Sequence, residues 1–217
     1  MARAIIFANG EFPDPQGARD LVQADDLVIA ADGGTRHALS IGVMPQVVIG
    51  DLDSLAKDDR ARVEAGGARL VTFSPRKDET DLELALRYAA GEGVSGIIVL
   101  AALGGRLDQM VANLLLLALP DLEGIEVRIR EGGQEAFLVR GEAVIRGRPG
   151  DTVSLLPLGG DAGDVTAEGL EWALHGDLLR FGPARGVSNV LIAERARVRV
   201  GRGVLLCVVN HQTNQEG

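Results

Sequence analysis

Short apolar runs alternate with longer amphipathic stretches from residue 1 to about residue 130. Ala4-Ile5-Ile6-Phe7-Ala8 and Ile97-Ile98-Val99-Leu100 are continuous apolar runs, as suits strands covered on both faces. The pattern predicts strands near 4–8, 27–31, 46–50, 69–73, 96–102 and 125–130, and helices near 17–24, 34–41, 58–65, 80–91 and 106–118. Strands that alternate with helices favour βαβ units and a mainly parallel sheet.

After about residue 135 the rhythm shortens. Strand-like pieces recur at Ala136–Val139, Thr152–Leu156, Asp164–Ala167, Asp177–Phe181, Asn189–Ile192, Ala196–Val200 and Val204–Val209. Gly159-Gly160, Gly176-Asp177 and Gly201-Arg202-Gly203 read as turns between them. Val198-Arg199-Val200 alternates with period two, as a half-exposed strand does, and several short strands at this spacing suggest a β-sandwich. The fold expected is therefore α/β: a mainly parallel, Rossmann-like domain over residues 1–132, then a β-sandwich over residues 133–217.

Composition narrows the function. The chain has 217 residues, 46% apolar and 24% charged, with a formal net charge of −9. That balance argues against a nucleic-acid partner, which calls for a basic face. The single cysteine, Cys207, lies in an apolar run and cannot form an internal disulfide, so a reducing, cytoplasmic setting is expected. Met1 leads straight into Ile5-Ile6-Phe7 without a charged-then-apolar leader, and no run reaches the ~20 apolar residues that span a bilayer. Only Lys57 and Lys77 are lysine among the basic residues, which singles out Lys77, since Lys57 reads as a solvated loop position.

The chemistry collects in four clusters: Ala31-Asp32-Gly33-Gly34, Gly50-Asp51-Leu52-Asp53-Ser54, Lys77-Asp78-Glu79-Thr80-Asp81 and Gly104-Gly105-Arg106-Leu107-Asp108-Gln109. The first, second and fourth follow apolar strands directly. In an open parallel sheet the carboxyl ends of strands converge on one edge, where such folds bind ligands. Carboxylates gathered there repel one another unless a cation or substrate sits among them. Mg²⁺ with a nucleotide fits, because Mg²⁺ is usually held by one or two carboxylates plus phosphate oxygens.

Each cluster also has a plain structural reading. Asp51-Leu52-Asp53 places two carboxylates on one side of an extended chain, yet Asp-x-Asp alone is as well explained by a turn. Thr80 to Glu83 fits a capping box that would start a helix with apolar face Leu82, Ala85, Leu86 and Ala89, leaving Lys77 and Asp78 unexplained. Gly104-Gly105-Arg106 joins a strand to a helix whose N–H groups favour anions. Arg106, Gln109 and Asn113 share one face of that helix, and Leu107, Met110, Val111, Leu114, Leu115 and Ala118 supply an apolar stripe. Trp172, the one tryptophan, reads by default as sandwich core, and Gly186-Val187-Ser188-Asn189 as a turn.

Together, Asp32-Gly33-Gly34, Gly50 to Ser54, Lys77 to Leu86, Gly104 to Asn113, Gly169 to Leu174 and Ser188-Asn189 resemble the thiamine pyrophosphokinase family in order and spacing over essentially the whole chain. The resemblance implies a nucleotide-binding catalytic α/β domain, a thiamine-binding β-sandwich and a homodimer whose thiamine pocket draws on the partner chain. It implies transfer of the β,γ-diphosphoryl group of ATP to the thiamine hydroxyl, giving thiamine diphosphate and AMP. By that resemblance Asp51, Asp53 and Asp81 hold Mg²⁺, and Lys77, Arg106 and Asp108 join them as catalytic residues. Asp32, Gly33, Ser54, Lys77, Asp78, Thr80, Gly104, Gly105, Arg106, Gln109 and Asn113 line the nucleotide. Asp81, Trp172, Ser188 and Asn189 face thiamine. The family often has proline after the aromatic residue, where this chain has Ala173. A pyrophosphokinase for another primary alcohol, such as a hydroxymethylpterin, is the alternative. A haloacid dehalogenase-like phosphatase fits poorly, because Ser54-Leu55 follows Asp53. A non-catalytic sensor need not keep Lys77, Asp81, Arg106 and Asp108 together.

Overall fold

The computed structural model describes residues 3–52, 55–74 and 78–212. The chain divides into two compact units, Met1–Gly132 and Gly133–Gly217.

In the first unit, β1 (Arg3–Phe7), β2 (Leu27–Ala31), β3 (Val47–Gly50), β4 (Arg69–Thr72), β5 (Gly96–Leu100) and β6 (Glu126–Glu131) lie in the order β6-β5-β1-β2-β3-β4. Every neighbouring pair is parallel. The connecting helices are α1 (Pro15–Leu21), α2 (Gly34–Ser40), α3 (Lys57–Ala65), α4 (Asp81–Gly91) and α5 (Leu107–Leu116). Strands β2 to β4 extend to one side of β1 and β5 and β6 to the other, so the crevice at the carboxyl ends of β1 and β5 is a topological switch point.

Burial explains why these segments became strands. Ile5, Ile6, Phe7, Ile29, Ile49 and Ile97 are essentially inaccessible, and each such side chain contributes about 1.5–3 kcal/mol. Ile5, Phe7, Val28, Ile98 and Leu100 pack with Ala18 of α1 and Ala38 of α2. Leu82, Ala85, Leu86 and Ala89 of α4 are buried, and this helix packs over β1, β2 and β3. Thr80 is the N-cap of α4, its Oγ1 accepting the Glu83 N–H at 3.2 Å. Lys57 opens α3 in an exposed position.

Helix α5 departs from the expected pattern. None of its residues is buried, and Leu107, Val111 and Leu115 are 73%, 48% and 51% exposed. The apolar stripe is present, but its outer edge, Leu107, Val111 and Leu115, is exposed, while Met110 and Leu114 are half-buried.

The second unit is the expected sandwich. Its strands are β7 (Gln134–Val139), β8 (Glu142–Arg146), β9 (Thr152–Pro157), β10 (Ala162–Glu168), β11 (Leu174–Leu179), β12 (Asn189–Val190), β13 (Arg195–Arg199) and β14 (Leu205–Asn210). One antiparallel layer runs β12-β9-β14-β7 and the other β11-β10-β13-β8. Phe137, Leu155, Val165, Leu179, Val198 and Cys207 belong to the shared core. Cys207 is wholly buried there, as its apolar run predicts.

Two sequence expectations need correction. Gly176-Asp177 is not a turn between strands but lies inside β11, where Asp177 faces Val165 beside shifts in register. Glu142–Arg146, absent from the predicted strands, is β8: its apolar run is only Ala143-Val144-Ile145 between two charged ends.

Candidate active site

The segments that leave the strand ends enclose a cavity of ≈ 640 Å³ in the first unit. Asp32 leaves β2, Asp51 leaves β3, Thr80 and Asp81 open α4, and all four line this cavity. Gly104, Gly105 and Arg106 leave β5, and Gln109 and Asn113 follow on α5; these also line it. The predicted shared face of Arg106, Gln109 and Asn113 is thus the face that meets the cavity. Asn113 Nδ2 also donates to the Ala102 carbonyl at 2.7 Å, tying α5 to the end of β5.

Backbone geometry brings the carboxylates together. Asp32, Leu52 and Ala101 have φ of 45°, 62° and 54°, so three strand exits pass through the left-handed region that side chains disfavour. Such conformations persist where surrounding structure enforces them, and they cluster at functional sites. The Asp32 N–H donates to the Ile49 carbonyl at 2.8 Å, and the Asp32 carbonyl accepts from the Thr35 N–H and Oγ1. Gly50 lies between two of the acids: a Cβ there would stand 3.0 Å from Asp32 Cβ and 3.4 Å from Asp81 Cγ. With φ at 156° as well, that position accepts only glycine without strain.

Three other predicted residues, Gly33, Asp78 and Asp108, are not in the cavity lining. Gly33 borders a separate hollow of ≈ 110 Å³ with Asn9, Arg36 and Asp59. Asp78 is exposed and does not line the main cavity. Asp108, expected among the gathered carboxylates, is a correction: it lies outside the cavity wall and pairs with Arg106, Oδ2 to Nη2 at 2.5 Å and Oδ1 to Nε at 3.1 Å. The helical period turns it about 100° from Gln109. The Arg106 bond holds the Asp108 carboxyl below its usual range and raises the guanidinium in turn. Asp53, Ser54 and Lys77 lie outside the described residues. Among the described residues, no group of three or more His, Cys, Asp or Glu side chains stands ready to hold a metal.

Asn9, Gly10, Glu11 and Glu79 line the cavity and were not singled out in the sequence. The signal existed: Asn9-Gly10-Glu11 follows the Ala4–Ala8 run just as the other clusters follow their strands.

In the second unit, Trp172 is 58% exposed and not core. Asn189 is buried and holds the tryptophan backbone at both ends, accepting the Trp172 N–H at 3.0 Å on Oδ1 and donating Nδ2 to the Trp172 carbonyl at 2.7 Å. Ser188 has a φ of 60°, and its N–H donates to Ser154 Oγ at 3.1 Å. The arrangement presents an indole to solvent on a fixed loop.

The family model for the thiamin pyrophosphokinase catalytic domain matches residues 18–129. This chain belongs to the thiamin pyrophosphokinase family. The family's vitamin B1 binding domain matches residues 142–205. A thiamine pyrophosphokinase of Bacillus subtilis (strain 168) is 27% identical over 198 residues, 90% of this chain and 91% of its own length. The crystal structure of thiamine pyrophosphokinase from Bacillus subtilis has a TM-score of 0.86 at 26% identity, covering 98% of this chain and 100% of that one. A Candida albicans thiamin pyrophosphokinase shares the fold, with a TM-score of 0.81 at 17% identity over 97% of this chain and 89% of that one. The α/β unit and the sandwich are thus the thiamin pyrophosphokinase fold.

Proposed function

We propose that the chain transfers the β,γ-diphosphoryl group of ATP to the hydroxyl of thiamine, releasing AMP and thiamine diphosphate. Besides family membership, one observation carries this reading: Asp32, Asp51, Asp81 and Arg106 meet in a single cavity at the sheet's switch point. Diphosphoryl transfer asks for positioning and charge neutralisation more than for covalent chemistry from the protein.

Arg106, at the N-cap of α5, grips phosphate oxygens by paired N–H groups, and the N-terminal end of that helix favours an anion. Gln109 and Asn113 orient the nucleotide along the same helix face. The acids fit a Mg²⁺–nucleotide complex, since Asp51 and Asp81 line the one cavity and Gly50, which precedes Asp51, keeps Asp32 and Asp81 close together. Asp51 and Asp81, with Asp53 of the same cluster, would hold Mg²⁺, which when bound neutralises charge on the phosphates. Lys77 is assigned the same neutralising role. Asp51 or Asp81 accepts the hydroxyl proton as the bond to the β-phosphorus forms. Asp108 is poorly placed for that step, because its pair with Arg106 lowers its proton affinity. Trp172 supplies the stacking platform for thiamine, fixed by Asn189 and flanked by Ser188.

We also assign a homodimer in the cytoplasm. The exposed stripe Leu107, Val111 and Leu115 supports the first and the buried lone thiol of Cys207 the second. No helix among the described residues is long and apolar enough to cross a membrane.

Product analysis with ATP, Mg²⁺ and thiamine tests the reading. Equal amounts of AMP and thiamine diphosphate are expected, with turnover falling by at least about a hundredfold in Asp51→Asn. Thiamine-dependent release of ADP or orthophosphate instead would overturn it.

A further inference from the structure

Beyond Phe7 the chain continues beside the segment that leaves β5. The Ala8 N–H donates to the Leu100 carbonyl at 2.9 Å, Gly10 to Ala101 at 2.7 Å and Glu11 to Leu103 at 2.8 Å. The Gly10 carbonyl in turn accepts His37 Nε2 at 3.0 Å. At the end of this run Glu11 turns its carboxylate onto the glycine pair. Its Oε1 accepts the Gly105 N–H at 3.1 Å, and a Cβ on Gly104 would fall 2.5 Å from Glu11 Cγ. Glu131, at the end of β6, accepts the Leu103 N–H at 3.5 Å.

The braced turn is intrinsically loose. Gly104 and Gly105 have φ of 82° and 72°, and two glycines in succession have more backbone freedom to lose than any other pair. Arg106 follows at once as the N-cap of α5. A carboxylate in a cleft for a polyanion works against binding unless it does something that outweighs the repulsion. Glu11 is exposed, so packing of the core does not require it.

We propose that Glu11 is a positioning residue, which holds the Gly104-Gly105 turn so that the backbone bearing Arg106 is set beside the cavity before the phosphates arrive. This rests on the nucleotide reading of the cavity given above. A backbone already fixed where Arg106 leaves it loses less freedom when the guanidinium exchanges Asp108 for its ligand, so the bracing appears in nucleotide affinity.

Steady-state kinetics on the full chain test it with four variants: Glu11→Ala, Glu11→Gln, Arg106→Ala and the Glu11→Ala/Arg106→Ala double variant. Glu11→Ala is expected to raise KM for ATP about tenfold, leaving KM for thiamine and the thermal midpoint unmoved. Glu11→Gln keeps an oxygen for the Gly105 N–H and is expected within about threefold of the parent. In the Arg106→Ala background, Glu11→Ala should add no further loss. Equal impairment by Gln and Ala, or losses that multiply in the double variant, would overturn the inference. An impaired Arg106→Ala beside a normal Glu11→Ala overturns it alone. A normal KM in Arg106→Ala removes the phosphate grip itself, and with it the bracing assigned to Glu11.

Discussion

Glu131 shows how much one side chain can report. Its burial, with the Glu11 charge adding to it, pushes the carboxyl up to about 7 from 4.5, against the opposing pull of the Leu103 and Ala102 N–H groups. The folded chain therefore keeps a proton that the unfolded chain releases between those two values. Below that window the group is neutral in both states and adds no pH dependence; within it stability falls as pH rises, and above it the whole penalty is present. Glu131→Gln should remove this slope, gaining about 1 kcal/mol on the parent at the alkaline side once solvent screening is allowed for. Thermal unfolding of both proteins across the window checks it, and parallel curves would contradict the assignment. Other residues differed in how openly the sequence declared them. Asp32, Asp51, Asp81 and Arg106 were legible because each follows a strand or opens a helix. The residue pattern alone reads Trp172 as core and only the family resemblance reads it as a platform, since Asn189, which fixes its exposed loop, is distant in sequence.

Helices and strands were legible wherever one periodicity ran long enough to dominate. The cap of α4 was read correctly from Thr80 and Glu83, and Thr80→Ala should cost about 1 kcal/mol while Thr80→Ser costs little. Urea denaturation checks the pair, and an unshifted midpoint in the alanine variant would mean that the cap is not holding the helix. Where periodicity was short or interrupted, the reading slipped. Glu142–Arg146 hid as β8 because only three apolar residues, Ala143-Val144-Ile145, stand between its charged ends, and Gly176 disguised the middle of β11 as a turn. Helix α5 was recognised by its stripe, but amphipathicity reports that a helix has an apolar face, not which surface covers it.

That uncovered face belongs to the molecule as a whole. Three large apolar side chains at successive turns, Leu107, Val111 and Leu115, are more than an isolated surface leucine and support the proposed association. A second copy of the chain is the assigned occupant, so sedimentation equilibrium should give twice the chain mass, and Val111→Glu should shift the protein to single chains. A parent that sediments as a single chain would refute this. The division into an α/β unit and a sandwich was readable from the change in rhythm near residue 135, because parallel and antiparallel sheets demand different spacings of apolar segments.

The register of the first unit has a consequence for how the chain comes to life. Arg3 of β1 pairs with Gly96 of β5, and Phe7 with Leu100, so the central strand finds one of its two neighbours only after most of the unit exists. Closing so long a loop is slow, because its entropy is lost before the pairing can compensate. Glu11 and Gly105 therefore meet only when β5 docks, and the crevice between their strands forms late in the first unit. A chain leaving the ribosome has its aspartates early but no complete crevice until α5 has emerged, which makes ligand binding there a marker of the first unit alone.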